Sequence, residues 1–168
     1  MSTDRGKDRS PVSIERLEAA MYGVQERTGQ SSLRTLLRQP GIHSVHRIIC
    51  YYGDGSAHNS IATLIHSAQQ TTLDCLYEGL FEQKPLHYSV ADDRYEHFCD
   101  VLHRVHFDGL YHQRDMSPHV NLLWQLERGA AQYVHSVIMT PVTPPMPYSA
   151  LVNAIDAYLP EAIKRIKK

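Results

Sequence analysis

The chain has 168 residues, of which 42% are apolar and 21% charged, with a formal net charge of −1. That length suits one domain with a sizeable core, and the composition excludes disorder, collagen and coiled coil for the chain as a whole. Residues 41–160 carry six Lys and Arg against twelve Asp and Glu, between mildly basic ends, the reverse of the basic body expected of a nucleic-acid-binding domain.

The first residues, Met1 to Ser10, are charged and small and read as a disordered lead-in without a signal core. Ser10-Pro11 has the chemistry of a helix start, with Ser as N-cap and Pro at the first helical position. Ile14, Leu17, Met21 and Val24 follow at helical spacing and predict an apolar stripe down one helix. Gly29 ends it. Ser31 or Ser32 caps a short second helix bearing Leu33, Leu36 and Leu37, which Pro40-Gly41 stops. Residues 11–40 therefore read as an N-terminal helical arm ahead of a domain over 41–168. The stripe needs a surface, either the chain's own sheet or a second protein, and is the candidate interface.

Val45 to Tyr52 is β-branched and aromatic and predicts a strand. Gly53-Asp54-Gly55-Ser56 then turns the chain into a second strand over Ile61 to His66. Leu73, Cys75 and Tyr77 alternate with polar residues in a third, and Lys84-Pro85 breaks the pattern. A helix is expected to begin near Ser89 or Asp92, with Phe98, Val101, Leu102 and Val105 as its core side. Val120, Leu122, Trp124 and Leu126 alternate with Asn121, Leu123, Gln125 and Glu127 in the clearest strand. A tight turn at Arg128-Gly129 would pair Leu122 with His135 and bring that histidine to the core face. After a proline-rich bend the last helix carries Leu151, Ile155 and Leu159, and Pro160 starts a fresh turn.

The order α-α-β-β-β-α-β-β-α predicts an α+β two-layer sandwich, an antiparallel sheet of about five strands with helices on one face. This order resembles that of small secretion-chaperone-like α/β domains. The resemblance implies a fold whose members bind other proteins and often dimerise, although order does not fix function.

Eleven histidines are the compositional oddity. On a helix turning 100° per residue, His97, Asp100 and His103 fall opposite the core residues, while Cys99 and His106 lie on a flank. Cys99 and His103, four apart, can meet, so Cys99, Asp100, His103 and His106 are the candidates for a metal site or for acid–base chemistry. His43 and His46, three apart, fall on opposite faces of a regular strand. There is no H-E-x-x-H, no G-x-S-x-G and no phosphate-loop motif. Three cysteines, Cys50, Cys75 and Cys99, without a C-x-x-C argue against a disulfide framework and for a reducing, cytoplasmic setting. No apolar run approaches a membrane span.

These residues predict a non-enzymatic binding or regulatory module. It would act through protein–protein contacts, as a homodimer or with another protein, with no cofactor, membrane or nucleic acid. The alternative is a small metal-dependent or Cys/His-based enzyme using Cys99, Asp100 and His103.

Overall fold

The computed structural model describes residues 13–168. The expected lead-in, residues 1–10, and the expected helix start at Ser10-Pro11 lie outside them. Helix α1 (Ile14–Arg27) is capped instead by Ser13, whose hydroxyl accepts from Arg16 N, and it ends before Gly29, where φ is +67° and a side chain would be strained. Helix α2 (Leu33–Leu37) starts at Ser32, whose hydroxyl accepts from Thr35 N at 3.2 Å.

Six antiparallel strands follow: β1 (Ile42–Tyr52), β2 (Ser60–Ser67), β3 (Thr71–Tyr77), β4 (Leu86–Ser89), β5 (Leu122–Ala130) and β6 (Tyr133–Met139). They lie in the order β4-β3-β2-β1-β5-β6. Helix α3 (Asp92–Arg104) connects β4 to the β5–β6 hairpin, and α4 (Tyr148–Tyr158) follows it, with a 3-10 turn from Pro160 to Ile163. The fold is therefore α+β, with one strand more than the sequence suggests. The extra strand is β4, four residues long, directly after Pro85. A proline just ahead of a short edge strand removes no ladder hydrogen bond, so the break in the pattern concealed the strand behind it.

Alternation along the strands separates two apolar layers. Ile48, Cys50, Leu64, Leu73, Trp124, Leu126 and Val137 pack with Phe98, Val101 and Leu102 of α3 and Leu151 and Ile155 of α4. The intervening residues Ile49, Ile61, Leu76, Leu123 and Ile138 pack with Leu17, Met21 and Val24 of α1. Helices thus flank the sheet on both faces rather than on one. The stripe expected at an interface with a partner is occupied within the chain. Leu17, Met21 and Val24 are buried and Ile14 is half-buried. At roughly 1.5–3 kcal/mol per fully buried side chain, those three contribute about 5–9 kcal/mol before the entropy of ordering the helix is subtracted.

The β5–β6 turn also differs from expectation. It falls at Ala131-Gln132, and His135 pairs with Arg128 rather than Leu122. Because Leu122 and Arg128 share a face, His135 still points to the α3 side. Gly129 is no turn residue. A Cβ there would come within 2.8 Å of Leu37 Cδ1 and 3.4 Å of Leu33 Cδ2, so this glycine lets α2 settle on the sheet. Residues 110–116 seal the outer edge of β6: Gln113 N donates to Ile138 O at 2.9 Å, and Ile138 N donates to His112 Nδ1 at 2.9 Å. With Nδ1 accepting, His112 Nε2 carries the proton and donates to Glu18 Oε1 of α1 at 3.1 Å. The opposite edge, β4, is short, which limits strand addition there.

Candidate ligand-binding site

The site is built where α3 crosses the end of the sheet. Strand β1 enters with Ser44 and His46 on the α3 side, and β5 leaves with Arg128 on that same side, paired opposite His46. Helix α3 supplies Tyr95, Cys99, Asp100, Leu102 and His103. The chain then turns sharply at His106, φ +52°, into Phe107-Asp108-Gly109. These residues enclose a cavity of about 670 Å³, within the usual range for small-molecule sites.

His46 is 2% exposed, and neither ring nitrogen has a hydrogen-bond partner among the described residues. Its ring packs edge-on against Phe98, centroids 5.4 Å apart, and against Tyr95 at 6.2 Å. Burial, reinforced by the charges of Arg128 and His66, lowers its pKa to about 3, so the imidazole is neutral. Tyr95 hydroxyl and Ser44 hydroxyl are 2.6 Å apart. Burial pushes Tyr95 up to about 12 and raises the Cys99 thiol as well, against the opposing pull of Arg128 on both. Arg128 Nη1 donates to Asp108 Oδ2 at 2.9 Å.

Tyr95 also separates this cavity from a second one of about 320 Å³, lined by His43, His66, Asp92 and Glu96 among others. His66 stacks on Tyr95 with centroids 4.2 Å apart, and His43 meets His66 edge-on at 5.8 Å. Irregular pairing between Ile42 and Ser44 accounts for His43 reaching that side. Strict alternation would have sent it to the other face.

Of the residues singled out from the sequence, Cys99, Asp100, His103 and His106 do line one cavity. They do not form a metal centre: among the described residues no group of three or more His, Cys, Asp or Glu could hold a metal ion. Cys99 is half-buried while Asp100, His103 and His106 are exposed, which puts these three at the rim. His97 lies elsewhere, stacked on Tyr158 at 5.5 Å. His135 Nε2 lies 2.8 Å from Leu110 O, a structural bond. Cys50 and Cys75 are buried and pushed up to about 12 by that burial, inert thiols of the core. Sequence reasoning missed Ser44, His46 and Arg128 as cavity residues, because they come together only through the β1–β5 pairing, and it missed Tyr95, which lies on α3 one turn before Cys99. The available signals were the identical parity of Ser44, His46 and Arg128 on their strands and the four-residue spacing of Tyr95 and Cys99 on α3.

A second polar cluster lies on the opposite face, under α1 and α2. Arg47 is 0% exposed; its Nε donates to Thr63 Oγ1 at 3.3 Å, and its Nη1 and Nη2 have no partner among the described residues. Glu127 sits opposite it on β5. Its Oε1 accepts from Gln125 Nε2 at 2.8 Å, and its Oε2 is buried and unpartnered. Burial lowers the pKa of Arg47 and raises that of Glu127, each against the attraction of the other.

Among the described residues no helix is long and apolar enough to cross a membrane. No protein-family model matches the chain, and neither a curated protein nor a solved structure is significantly similar to it.

Proposed function

We propose that the chain is a non-enzymatic binding module whose recognition site is the cavity beneath α3. The observation that carries this reading is His46. A buried imidazole with two unpartnered nitrogens costs on the order of 1–3 kcal/mol per group, and an apolar residue beside Phe98 would avoid that cost. Polar groups kept at such a cost are characteristic of sites rather than of cores. The enzymatic alternative, chemistry by Cys99, Asp100 and His103, has less support, because burial keeps the Cys99 sulfur a thiol at neutral pH, where a nucleophile needs a thiolate. A fragment screen observed by protein NMR tests the reading. Shifts are expected at Ser44, His46, Tyr95, Cys99 and Arg128, and a screen in which bound fragments leave these five unmoved would sink it.

A second reading, self-association through protein contacts, draws on a different patch now that the α1 stripe is covered. Tyr111 and Met146 are 76% and 71% exposed. They belong to one surface, since Tyr148 hydroxyl donates to Tyr111 O at 2.8 Å and Ser149 hydroxyl to Met146 Sδ at 2.9 Å. Exposed aromatic and methionine side chains are enriched at interfaces. Sedimentation velocity of the protein and of its Tyr111→Ser/Met146→Ser variant is the check: this reading expects a dimer in the first and a monomer in the second, and a protein monomeric at all concentrations ends it.

A further inference from the structure

We propose that the cavity beneath α3 takes the oxyanion head of a small molecule, a carboxylate or a phosphate, with the Arg128 guanidinium as its anchor. This rests on reading the cavity as a binding site and adds the chemistry of the ligand. Arg128 uses only Nη1, toward Asp108, in its side-chain hydrogen bonds among the described residues. The remaining donors on Nη2 and Nε are uncommitted, and a planar guanidinium offers such donors in pairs that match an oxyanion. Ser44 and Tyr95 bond to each other through one hydroxyl proton, and the Tyr95 proton is turned toward the Cys99 sulfur, a weak acceptor that an oxyanion would displace. His46 beside them is a neutral imidazole with one N–H that no described residue accepts.

The inner end of the cavity therefore carries uncommitted donors, with the second nitrogen of neutral His46 as an acceptor beside them. Of its two carboxylates, Asp108 is committed to Arg128, and Asp100 is exposed at the rim. The positive charge is felt throughout, since Arg128 disfavours the protonated form of His46 and favours the ionised forms of Tyr95 and Cys99. Leu102 and Phe107 give the rest of the cavity an apolar wall for the body of the ligand.

Four probes of one shape separate the possibilities: benzoate, phenyl phosphate, benzamide and benzylamine. Each is titrated into the full chain while the imidazole signals of His46 and the guanidinium of Arg128 are followed by NMR. Benzoate or phenyl phosphate is expected to move both, at least about tenfold more tightly than benzamide, the span of one hydrogen bond to a charged group. The tighter of the two anions distinguishes a planar carboxylate from a tetrahedral phosphate. Arg128→Gln should weaken the anion at least about tenfold. Asp108→Asn, which frees Arg128 from its counter-ion, should strengthen it, and it decides the matter should Arg128→Gln fail to fold. Benzamide or benzylamine binding as tightly as the anions, no anion binding, or an Asp108→Asn variant that binds anions no better would overturn the oxyanion assignment. The cavity reading itself falls only when the fragment screen leaves the site unmoved.

Discussion

Lowering the pH from 7 to 4 is expected to destabilise the protein by about 3 kcal/mol through His46 alone. In the folded state burial holds this imidazole at a pKa of about 3, against an ordinary value of 6.5. The unfolded chain therefore takes up a proton between pH 6.5 and 3 that the folded chain refuses. Stability is complete above pH 6.5 and falls with acidification at about 1.4 kcal/mol per unit until the folded pKa is reached. Two and a half units lie between 6.5 and 4, which gives about 3 kcal/mol. Urea unfolding followed by circular dichroism, on the wild type and on His46→Phe at both pH values, isolates the effect. Phenylalanine has no proton to gain, while the other titrating groups, Glu127 included, recur in both proteins and cancel. The variant should be at least as stable as the wild type at pH 7, because it removes two unpartnered nitrogens, and its advantage should grow by about 3 kcal/mol at pH 4. An advantage that stays constant between the two would refute the reasoning, since it would mean that His46 is solvated or paired when folded.

Replacing the buried charges together, Arg47→Met with Glu127→Gln, should raise stability by about 1 kcal/mol or more in thermal unfolding, because desolvation outweighs an attraction that leaves both groups short of partners. Removing Glu127 alone should be strongly destabilising. Met21→Ala should cost about 2–5 kcal/mol. Because Met21 is buried within its own chain, that loss should not change with protein concentration in denaturant melts. Gly129→Ala should cost about 1 kcal/mol or more, since the new methyl displaces the Leu33 and Leu37 ends of α2, and it should appear as faster hydrogen exchange in α2.

Much of the layering was legible in the residues. Period-two alternation places Leu122, Trp124 and Leu126 on one face and Leu123, Gln125 and Glu127 on the other, as found, whereas Val120, expected with the first set, precedes β5 and packs on the α1 side, because the alternation begins only where the strand does. What alternation could not say is that both faces are covered. Leu123 and Ile138 point away from α3 yet are buried, because α1 returns to meet them. Arg128-Gly129 resembled a turn for a good local reason, and only the packing of α2 shows why glycine is there. Half of the candidate site came from helix geometry, which grouped Cys99, Asp100 and His103. The other half depends on two strands 70 or more residues apart in sequence pairing side by side, and no local pattern encodes that register.

The docking of α1 has a consequence for how the chain comes into being. Leu17, Met21 and Val24 are among the first of the described residues to be synthesised, yet their surface includes Leu123 and Ile138, among the later ones. The strands β1 to β4 can zip up in order as successive hairpins, whereas β1 must hold an open edge until β5 arrives to close it. Ile49, Ile61 and Leu76 of β1, β2 and β3 supply part of the surface that covers the α1 stripe, and Leu123 and Ile138 supply the rest only once β5 and β6 are in place. Glu127, which lies opposite Arg47, arrives with that same strand β5. Helix α1 therefore has a docking surface that is complete only after strands far later in the chain have joined the sheet.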